Sequence, residues 1–325
     1  MRAITISRPG DEDVLTLTEM PNPVPGHGEV LIEVAAAGVN NADLLQRQGH
    51  YPPPPGTSEL PGLEVSGVIS ALGDDVTEWK VGDRVAALLA GGGYATLAVA
   101  PASQLLPVPD DLDLVSAAAL PEAACTVYSN LGLIAGLRPG QTLLVHGGTG
   151  GMGSHAVLWA KALGVRVIAT AGGDRKTAAT REFGADVVID YRTEDFVERV
   201  HEETDGVGVD AILDVVGADY LERNLTALAP NGHLAVIASA SGPSAQLPFG
   251  LLMRKRATIS GTTLRARPLA EKAAIVAAVR EAVWPFVLDG RVRPVIDTVL
   301  PLADAPEAHR RMASGAVIGK LLLRA

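Results

Sequence analysis

The segment Thr142-Leu-Leu-Val-His-Gly-Gly-Thr-Gly-Gly-Met-Gly153 joins an apolar run to a glycine-rich turn, and apolar residues at helical spacing follow it. Three of its glycines have the spacing G-x-G-x-x-G. The first permits a tight turn, the second lets the backbone approach a pyrophosphate, and the third lets the helix pack closely on the strand. The amino terminus of that helix then directs its amides at the anion. The segment therefore predicts a dinucleotide-binding strand–turn–helix unit with contacts from Gly148, Gly150, Gly151, Met152 and Gly153.

Between residues 142 and 263, apolar runs alternate with segments of helical spacing. The runs predict six strands: Thr142–Gly147, Arg166–Ala171, Asp186–Tyr191, Val209–Val216, His233–Ala238 and Ala257–Thr263. Their nearly continuous Val, Ile, Leu and Ala content is typical of parallel strands that are buried on both faces. Strands that alternate with crossover helices predict an α/β fold with a doubly wound parallel sheet. We expect residues 124–263 to form this cofactor-binding domain.

The flanking regions have a different pattern. Residues 1–123 contain short alternating runs broken by proline and glycine, which predict a mainly β domain. Within them, Tyr51-Pro-Pro-Pro-Pro-Gly56 cannot be helical and predicts a rigid rim. After residue 263 we expect a long helix, Leu269–Leu288, and strands at Val295–Leu300 and Lys320–Leu323. Residues 264–325 are expected to return to the first domain.

Composition narrows the function classes. The 325 residues suggest two domains, and a hydrophobic content of 47% supplies ample material for a core. A net charge of −10 argues against nucleic acid as the main partner, because phosphate binding requires a basic face. No run approaches the roughly 20 apolar residues of a membrane helix, and no signal peptide is recognisable. Cys125 is the only cysteine, so an internal disulfide is excluded and a cytoplasmic location is expected.

Further motifs resemble a known family. In the same order as in the medium-chain dehydrogenase/reductase superfamily, the chain contains Gly38–Gly49, Pro61–Gly67, Val81–Val85, the glycine loop and Gly319-Lys320. Over essentially its whole length it resembles the zinc-free quinone oxidoreductase branch, the zeta-crystallin-like enzymes. The resemblance implies a Rossmann cofactor-binding domain together with a mainly β, GroES-like catalytic domain.

The departures from the zinc-dependent relatives concern the metal ligands. Where those relatives have a metal-binding cysteine and histidine, this chain has Asn40 and Leu63, and the third ligand position is occupied by Glu122. Leucine cannot ligate zinc, and an amide oxygen is a poor ligand for it. A single cysteine also cannot build the four-cysteine structural zinc site. We therefore expect no bound metal.

The choice of dinucleotide depends on the end of the second strand. Enzymes that use NAD place an acidic residue there to bind the ribose hydroxyls. This chain has Ala171-Gly172-Gly173 instead, which leaves room for a 2′-phosphate. By the resemblance, Lys176 would meet that phosphate and Tyr191 would approach from the next strand, with Gly172 as a further contact, so NADPH is expected. The alternative is Asp174 on the ribose, which would favour NAD, although Asp174 could equally cap the following helix.

The resemblance also implies contacts with the nicotinamide and the substrate. Asn40 and Tyr51 would flank both, and Thr126 would lie near the nicotinamide ribose or ring. The loop after the fifth strand would hold the carboxamide, since ligands bind at the carboxyl edge of such sheets. Simpler roles remain open, with Tyr51 as a surface aromatic and Thr126 as a core residue. Outside the glycine loop and the second strand, the expected cofactor contacts are Asn40, Thr126, Ser239, Gly242, Arg265 and Lys320. For Arg265 two outcomes stay open, a contact with the phosphates or no contact at all.

The expected reaction is hydride transfer from the nicotinamide, because the cofactor carries the chemistry. Without zinc as a Lewis acid, the substrate must delocalise negative charge itself, which quinones do well and enones less well. We therefore expect an NADPH:quinone oxidoreductase with Asn40 and Tyr51 as catalytic residues. One alternative is reduction of an activated alkene. Another is a non-catalytic protein, crystallin-like or RNA-binding, that retains the cofactor fold.

Association is expected at the edge of the parallel sheet. The sixth predicted strand, Ala257–Thr263, is apolar enough to need cover if it lies at an edge. In the resembling family this edge pairs with its symmetry mate by a two-fold contact. The chain is therefore expected to form a homodimer.

Overall fold

Two units make up the chain in the computed structural model, which describes residues 1–325. The first unit contains Met1–Cys125, Leu264–Leu288 and Pro294–Ala325. The second contains Thr126–Thr263 and Asp289–Arg293. Each unit has a main sheet of its own and a separate large cluster of buried apolar side chains.

Fifteen strands and eleven α-helices follow one another along the chain. The strands are β1 (Arg2–Ile6), β2 (Leu15–Glu19), β3 (Glu29–Gly38), β4 (Glu64–Leu72), β5 (Arg84–Leu88), β6 (Leu97–Pro101), β7 (Leu105–Pro107), β8 (Thr142–Val145), β9 (Arg166–Ala171), β10 (Val187–Asp190), β11 (Val209–Asp214), β12 (Leu228–Val236), β13 (Thr258–Gly261), β14 (Ile296–Pro301) and β15 (Lys320–Arg324). The α-helices are α1 (Asn41–Arg47), α2 (Leu114–Ala117), α3 (Pro121–Val127), α4 (Gly151–Leu163), α5 (Asp174–Glu182), α6 (Phe196–Glu203), α7 (Leu221–Ala227), α8 (Phe249–Lys255), α9 (Leu269–Ala282), α10 (Trp284–Leu288) and α11 (Ala305–Ala313).

The second unit is built on a six-stranded sheet with the order β10-β9-β8-β11-β12-β13. Every pairing in it is parallel. The inner strands are apolar and buried, as in Leu143–Val145 and Val167–Ala169, whereas the edge strand β13 has no buried residue. The predicted doubly wound parallel sheet is thus confirmed. The chain order reverses between β8 and β11, and ligands bind beyond the carboxyl ends of the strands at such a switch point.

The first unit contains a seven-stranded mixed sheet and a small two-stranded one. The larger sheet has the order β14-β15-β3-β4-β5-β7, and β6 also pairs with β3. Alternate residues of β3, Val30, Ile32 and Val34, point into the core, because successive side chains of a strand face opposite sides. The C-terminal strand β15 pairs antiparallel with β3, so the chain end completes the mainly β sheet.

Two predicted elements differ from the structure. The fifth strand of the parallel sheet was expected at His233–Ala238 and is β12, Leu228–Val236. The expected helix Leu269–Leu288 is two helices, α9 and α10, which are separated at Val283. Pro285 has no amide hydrogen to donate, and it disfavours helical geometry at the residue before it, so the first helix ends near this point. No helix of the chain combines the length and the apolar character that crossing a bilayer requires.

Candidate functional site

The glycine loop of the second unit connects β8 to α4 by a tight turn. Gly147 adopts a φ of +69°, which a residue with a side chain rarely adopts, and the amide of Gly150 donates to its carbonyl at 3.1 Å. A β-carbon at Gly153 would lie 2.1 Å from the Gly147 oxygen, so only glycine lets α4 approach the strand end this closely. The left-handed turn is therefore at Gly147 rather than at Gly148, the first glycine of the motif.

The outer side of this loop is open. A β-carbon at Gly150 would contact only the Gly147 oxygen, at 3.7 Å. Gly150 is the N-cap of α4 and supplies no side-chain hydrogen bond to the first turn of the helix. Open space beside helix amides that no side chain caps fits the pyrophosphate of a dinucleotide.

The end of β9 carries the residues that were predicted to select the dinucleotide. Tyr191 packs over Gly172, since a β-carbon there would lie 2.5 Å from the Tyr191 hydroxyl. Burial lowers the pKa of Lys176, and the nearby Arg192 and Arg175 lower it further. Three cations therefore gather at this strand end, and this charge fits a phosphate better than a bare ribose.

The alternative candidate at this strand end, Asp174, is an exposed residue at the start of α5. It does not cap the helix. The N-cap is Gly173, whose φ is +82° and whose amide donates to the Asp190 carboxylate at 3.1 Å. Capping therefore gives no reason for an acidic residue at position 174.

A second loop lies at the carboxyl edge of the same sheet. The hydroxyl of Ser239 donates to the carbonyl of Gly242, and the Ser241 hydroxyl donates to the Val216 carbonyl at 2.8 Å. Gly217 packs so closely on Ser239 that a β-carbon would lie 2.5 Å from its Oγ. The predicted carboxamide loop is thus held against the segment that follows β11.

Thr126 is the first residue of the second unit and lies in α3. Its carbonyl accepts hydrogen bonds from the Asn130 side chain at 2.9 Å and from the Ser129 hydroxyl at 3.2 Å. The side chain is half-buried. A π-helix, Tyr128–Ile134, follows directly, and such turns are frequent at functional sites.

In the first unit, Asn40 is a buried residue whose amide orientation is determined by its neighbours. Its Nδ2 donates to Glu64 Oε1 at 2.9 Å, and its Oδ1 accepts from Lys320 Nζ at 2.6 Å. Lys320 also pairs with Glu64, and the other oxygen of Glu64 accepts from the Glu122 amide. Lys320 was expected to contact the cofactor, but its ammonium is buried and used within this cluster. Its contacts favour a role in holding Asn40.

Asp43 supports Asn40 from the other side. Its carboxylate accepts from the Asn40 amide at 2.8 Å, from the Gly62 amide at 3.0 Å and from the Tyr94 hydroxyl at 3.2 Å. Burial raises the pKa of Asp43 to about 6, although the two amide hydrogen bonds lower it. This carboxylate therefore holds the start of α1 and the residue before it in place.

Arg265 has different partners from those expected. Its buried guanidinium donates to Ala90 O at 2.7 Å, to Gln46 Oε1 at 2.7 Å and to Tyr51 O at 3.2 Å. It also lies over the Tyr51 ring, 5.5 Å from the centroid. With its donors used inside the first unit, Arg265 is better described as a support for Tyr51 than as a phosphate contact.

Tyr51 begins an irregular segment and is half-buried. Burial raises the pKa of its phenol and Glu122 raises it further, while Arg265 lowers it. The phenol therefore stays protonated at neutral pH, and it is able to donate a hydrogen bond.

The positions of the zinc ligands in the zinc-dependent relatives contain no metal-ligating cluster. Leu63 is buried in the first unit, and nowhere in the chain do three or more His, Cys, Asp or Glu side chains come together as a metal site. Cys125 is buried, and desolvation raises the pKa of its thiol well above the usual range. Its thiol is therefore not activated as a nucleophile.

Sequence reasoning missed Arg192. A signal was present, since this basic residue follows Tyr191 at the end of the third predicted strand, beside the second. The partners of Arg265 and Lys320 had no comparable signal, because these side chains meet residues more than a hundred positions away.

Comparisons with known proteins cover the whole chain. Residues 26–110 match the alcohol dehydrogenase GroES-like domain, and residues 151–280 match the family described as zinc-binding dehydrogenase. A quinone oxidoreductase from Pseudomonas aeruginosa is 35% identical over 97% of this chain and 96% of its own length. A 2-haloacrylate reductase from Burkholderia is 32% identical over 99% and 98%. The structure of Escherichia coli quinone oxidoreductase complexed with NADPH superimposes with a TM-score of 0.89, 31% identity and full coverage of both chains.

Proposed function

The chain belongs to the quinone oxidoreductase branch of the medium-chain dehydrogenase/reductase superfamily, and from this we propose that it is an NADPH-dependent reductase that acts on a quinone without zinc. The observation that carries the proposal is the open space at Gly150, together with the cations at the end of β9. The first fits a pyrophosphate and the second fits a 2′-phosphate. The relative from Escherichia coli was solved with NADPH.

The second unit is the proposed cofactor domain. Amides of Gly148, Gly150, Gly151, Met152 and Gly153 would hold the pyrophosphate, while Lys176, Arg192 and Tyr191 would bind the phosphorylated ribose beside Gly172. Thr126 and the Ser239–Gly242 loop are the proposed contacts toward the nicotinamide end. NADPH, when bound, supplies the hydride for the reaction.

The first unit would supply the polar groups for the substrate. Lys320 holds the oxygen of Asn40 and Glu64 takes one of its amide hydrogens, so the amide cannot rotate without losing both contacts. The second hydrogen on Nδ2 can then donate to a substrate oxygen. Tyr51 would supply a second donor, supported by Arg265. Fixed donors of this kind stabilise a developing negative charge, and a quinone delocalises that charge by itself.

Reduction of an activated alkene is the second candidate, because a 2-haloacrylate reductase aligns with almost the entire chain. A haloacrylate carries a carbon–carbon double bond that is polarised by a carboxylate, so the same hydride donor could serve. The polar groups of the first unit suit a carbonyl oxygen in either substrate.

The deciding experiment follows NADPH oxidation by purified protein with a p-quinone or an enone at equal concentration. Faster turnover of the quinone supports the proposal, and faster turnover of the enone moves the function to alkene reduction. Tight NADPH binding without oxidation by either compound would leave the non-catalytic alternative.

An Asn40→Ala variant should lose kcat and keep its NADPH affinity, since Asn40 is proposed to act on the substrate.

A further inference from the structure

A line of buried hydrogen bonds lies beneath the glycine loop in the second unit. The Gly147 amide donates to the Thr170 hydroxyl at 3.3 Å, and that hydroxyl lies 3.1 Å from His146 Nδ1. On its other side, His146 Nε2 lies 2.8 Å from Asn224 Oδ1. Asn224 Nδ2 in turn donates to Asp214 Oδ2 at 3.0 Å. The line thus joins the ends of β8, β9 and β11 to α7.

The group at the end of the line, the Asp214 carboxylate, determines which atom donates in every hydrogen bond of the line. Asp214 also accepts from the amides of Val216 at 2.7 Å and Gly217 at 3.2 Å, so its carboxylate acts only as an acceptor. Asn224 must therefore turn its amide nitrogen toward Asp214 and its oxygen toward His146. His146 then carries its hydrogen on Nε2 and accepts from Thr170 at Nδ1. One arrangement of protons satisfies the whole line.

The surroundings keep His146 neutral and stationary. Its ring packs edge-on against Phe196 and Tyr220, with centroids 4.8 Å and 5.0 Å away. Burial lowers the pKa of His146 to about 4, so the ring stays neutral around pH 7. Asn224 and Thr170 are also buried. Because the local dielectric is low, each fixed hydrogen bond polarises the next.

Asp214, at the end of the line, also orients the segment that follows β11. The carboxylate that ends it also fixes Val216 and Gly217, and Val216 in turn accepts from the Ser241 amide and hydroxyl. The segment after β11 therefore holds the Ser239–Gly242 loop, which is the proposed contact toward the nicotinamide end. One buried network reaches both loops at the carboxyl edge of the sheet.

We propose that Thr170, His146, Asn224 and Asp214 are positioning residues that set the glycine loop for the cofactor and couple it to the loop at Ser239–Gly242. The inference rests on the proposed function, because it takes these two loops as the cofactor contacts. Without the line, the Gly147 turn would keep its sequence but lose the acceptor that orients its amide. The loop would then sample conformations in which the amides no longer converge on the phosphate.

The first test compares Thr170→Val with Thr170→Ser in the full chain. Valine has nearly the shape of threonine but no hydroxyl, whereas serine keeps the hydroxyl. For Thr170→Val, the dissociation constant of NADPH should rise about three- to tenfold, the loss expected for one hydrogen bond. Amide hydrogen exchange of the peptide that contains Gly147 should also become faster in the cofactor-free protein. Thr170→Ser should behave like the wild type in both measurements.

Thr204→Val is the matched control. The Thr204 hydroxyl likewise donates one hydrogen bond, here to Val200 O at 2.6 Å, and accepts one from an amide, Gly208 N at 2.9 Å, but it precedes β11 at the opposite edge of the sheet. This variant should lose thermal stability and keep its NADPH affinity. If Thr204→Val weakens NADPH as much as Thr170→Val does, or if Thr170→Val binds like the wild type, the positioning role is wrong.

Coupling along the line is tested by Asn224→Leu, which removes a link remote from the loop. This variant should weaken NADPH binding as Thr170→Val does. The double variant should bind NADPH about as tightly as whichever single variant binds it less tightly. Additive losses would overturn the claim that the line acts as a unit. If the wild-type chain fails to bind NADPH, the proposed function is wrong. Amide hydrogen exchange at Gly147 in Thr170→Val would then still decide whether the line holds the loop.

Discussion

Gly150 and Gly153 belong to one motif but face opposite surroundings. A β-carbon at Gly150 would enter open space, whereas one at Gly153 would collide with the Gly147 oxygen at 2.1 Å. Gly150 also has φ −69° and ψ 170°, which residues with side chains adopt without strain. A side chain is therefore compatible with the fold at position 150 and incompatible with it at 153.

Gly150→Val should accordingly separate binding from folding. The valine would occupy the space proposed for the pyrophosphate, so the dissociation constant of NADPH should rise by more than about tenfold, a loss of over 1.4 kcal/mol. Titration with NADPH, followed by its fluorescence, measures the affinity, and thermal unfolding measures the stability of the fold. Gly153→Ala is the contrasting variant, and it should lower the melting temperature. Unaltered NADPH affinity in Gly150→Val would rule out the loop assignment.

Asn40 and Leu63 are the reason why no bound metal is expected. Leu63 offers no ligand atom, and the Asn40 oxygen is taken by Lys320, which would repel a cation. Dialysis against a strong chelator should therefore leave the rate of NADPH oxidation unchanged, and added zinc should not raise it. Elemental analysis checks the same point, since stoichiometric zinc in active protein would contradict it.

At the scale of secondary-structure elements, the ends of β9 and β10 and the start of α5 form a surface that brings three cations together beside the carboxylates of Asp174 and Asp190. Lys176, Arg175 and Arg192 are close enough for their charges to interact, and Tyr191 packs over Gly172. Neighbouring parallel strands end on the same side of a sheet, so residues at two strand ends meet although they are about 15 to 20 positions apart. A 2′-phosphate bound here would interact favourably with these cations.

Lys176→Ala should therefore weaken NADPH binding and leave NADH binding nearly unchanged. A charge-assisted hydrogen bond contributes about 1.5–3 kcal/mol, which corresponds to roughly a ten- to hundredfold loss. Arg192→Ala should act in the same direction, and Tyr191→Phe more weakly, because it removes a neutral hydrogen bond. Dissociation constants of both cofactors measure the effect.

The control for this surface is Lys161→Ala. Lys161 lies on α4, where it pairs with Asp186 at 2.7 Å, and its loss should not change the preference between the cofactors. A preference for NADH would have an equally specific explanation. A wild type that prefers NADH, together with a selective loss of NADH binding in Asp174→Ala, would assign the ribose to Asp174.

At the scale of the whole molecule, the edge of the parallel sheet bears on association. Strand β13 is the last strand of that sheet and has no neighbour beyond it in the chain. Helix α8, directly before it, exposes Phe249 and Met253, with exposed fractions of 66% and 68%. An open strand edge beside exposed apolar side chains favours contact with a second copy.

We therefore predict a homodimer in solution. Light scattering at micromolar concentration should give the mass of two chains. Met253→Glu should shift the population toward single chains, while Val207→Glu, a change at another exposed apolar residue, should not. A wild-type mass of one chain would contradict the prediction.

The stability of the molecule should fall in acid because of buried histidines. Burial lowers the pKa of His309 to about 3 and that of His146 to about 4, whereas both titrate near 6.5 when unfolded. The unfolded chain then binds more protons, so stability is present above pH 6.5 and is lost progressively below it. For His309 the loss amounts to at most about 5 kcal/mol. Asp43, with a raised pKa of about 6, opposes this by favouring the folded state at low pH.

His309→Gln should therefore flatten the acid limb of the stability curve. Denaturant unfolding between pH 4 and 8 measures the free energy at each pH, and the variant should lose less stability on acidification than the wild type. His27→Gln is the control, because His27 lies on the surface beside Asp75. A parallel curve for His309→Gln would show that His309 is not a source of the pH dependence.

Much of the second unit followed from the sequence for a local reason. A buried parallel strand needs a run of apolar residues, and a glycine turn needs glycines at fixed spacing, so both leave a pattern in consecutive positions. The strand Arg166–Ala171 was predicted with the bounds that the structure has. The prediction of one helix over Leu269–Leu288 is wrong in one respect, because Pro285 interrupts the helix although the apolar spacing continues past it.

Side-chain partners were decided only by the tertiary structure. Arg265 is an expected cofactor contact by its sequence position, yet its side chain meets Ala90 and Gln46. Lys320 meets Asn40 across 280 positions. Spacing along the chain determines the face of an element on which a residue lies. It does not determine which distant residue lies opposite, because that depends on how separate elements pack together.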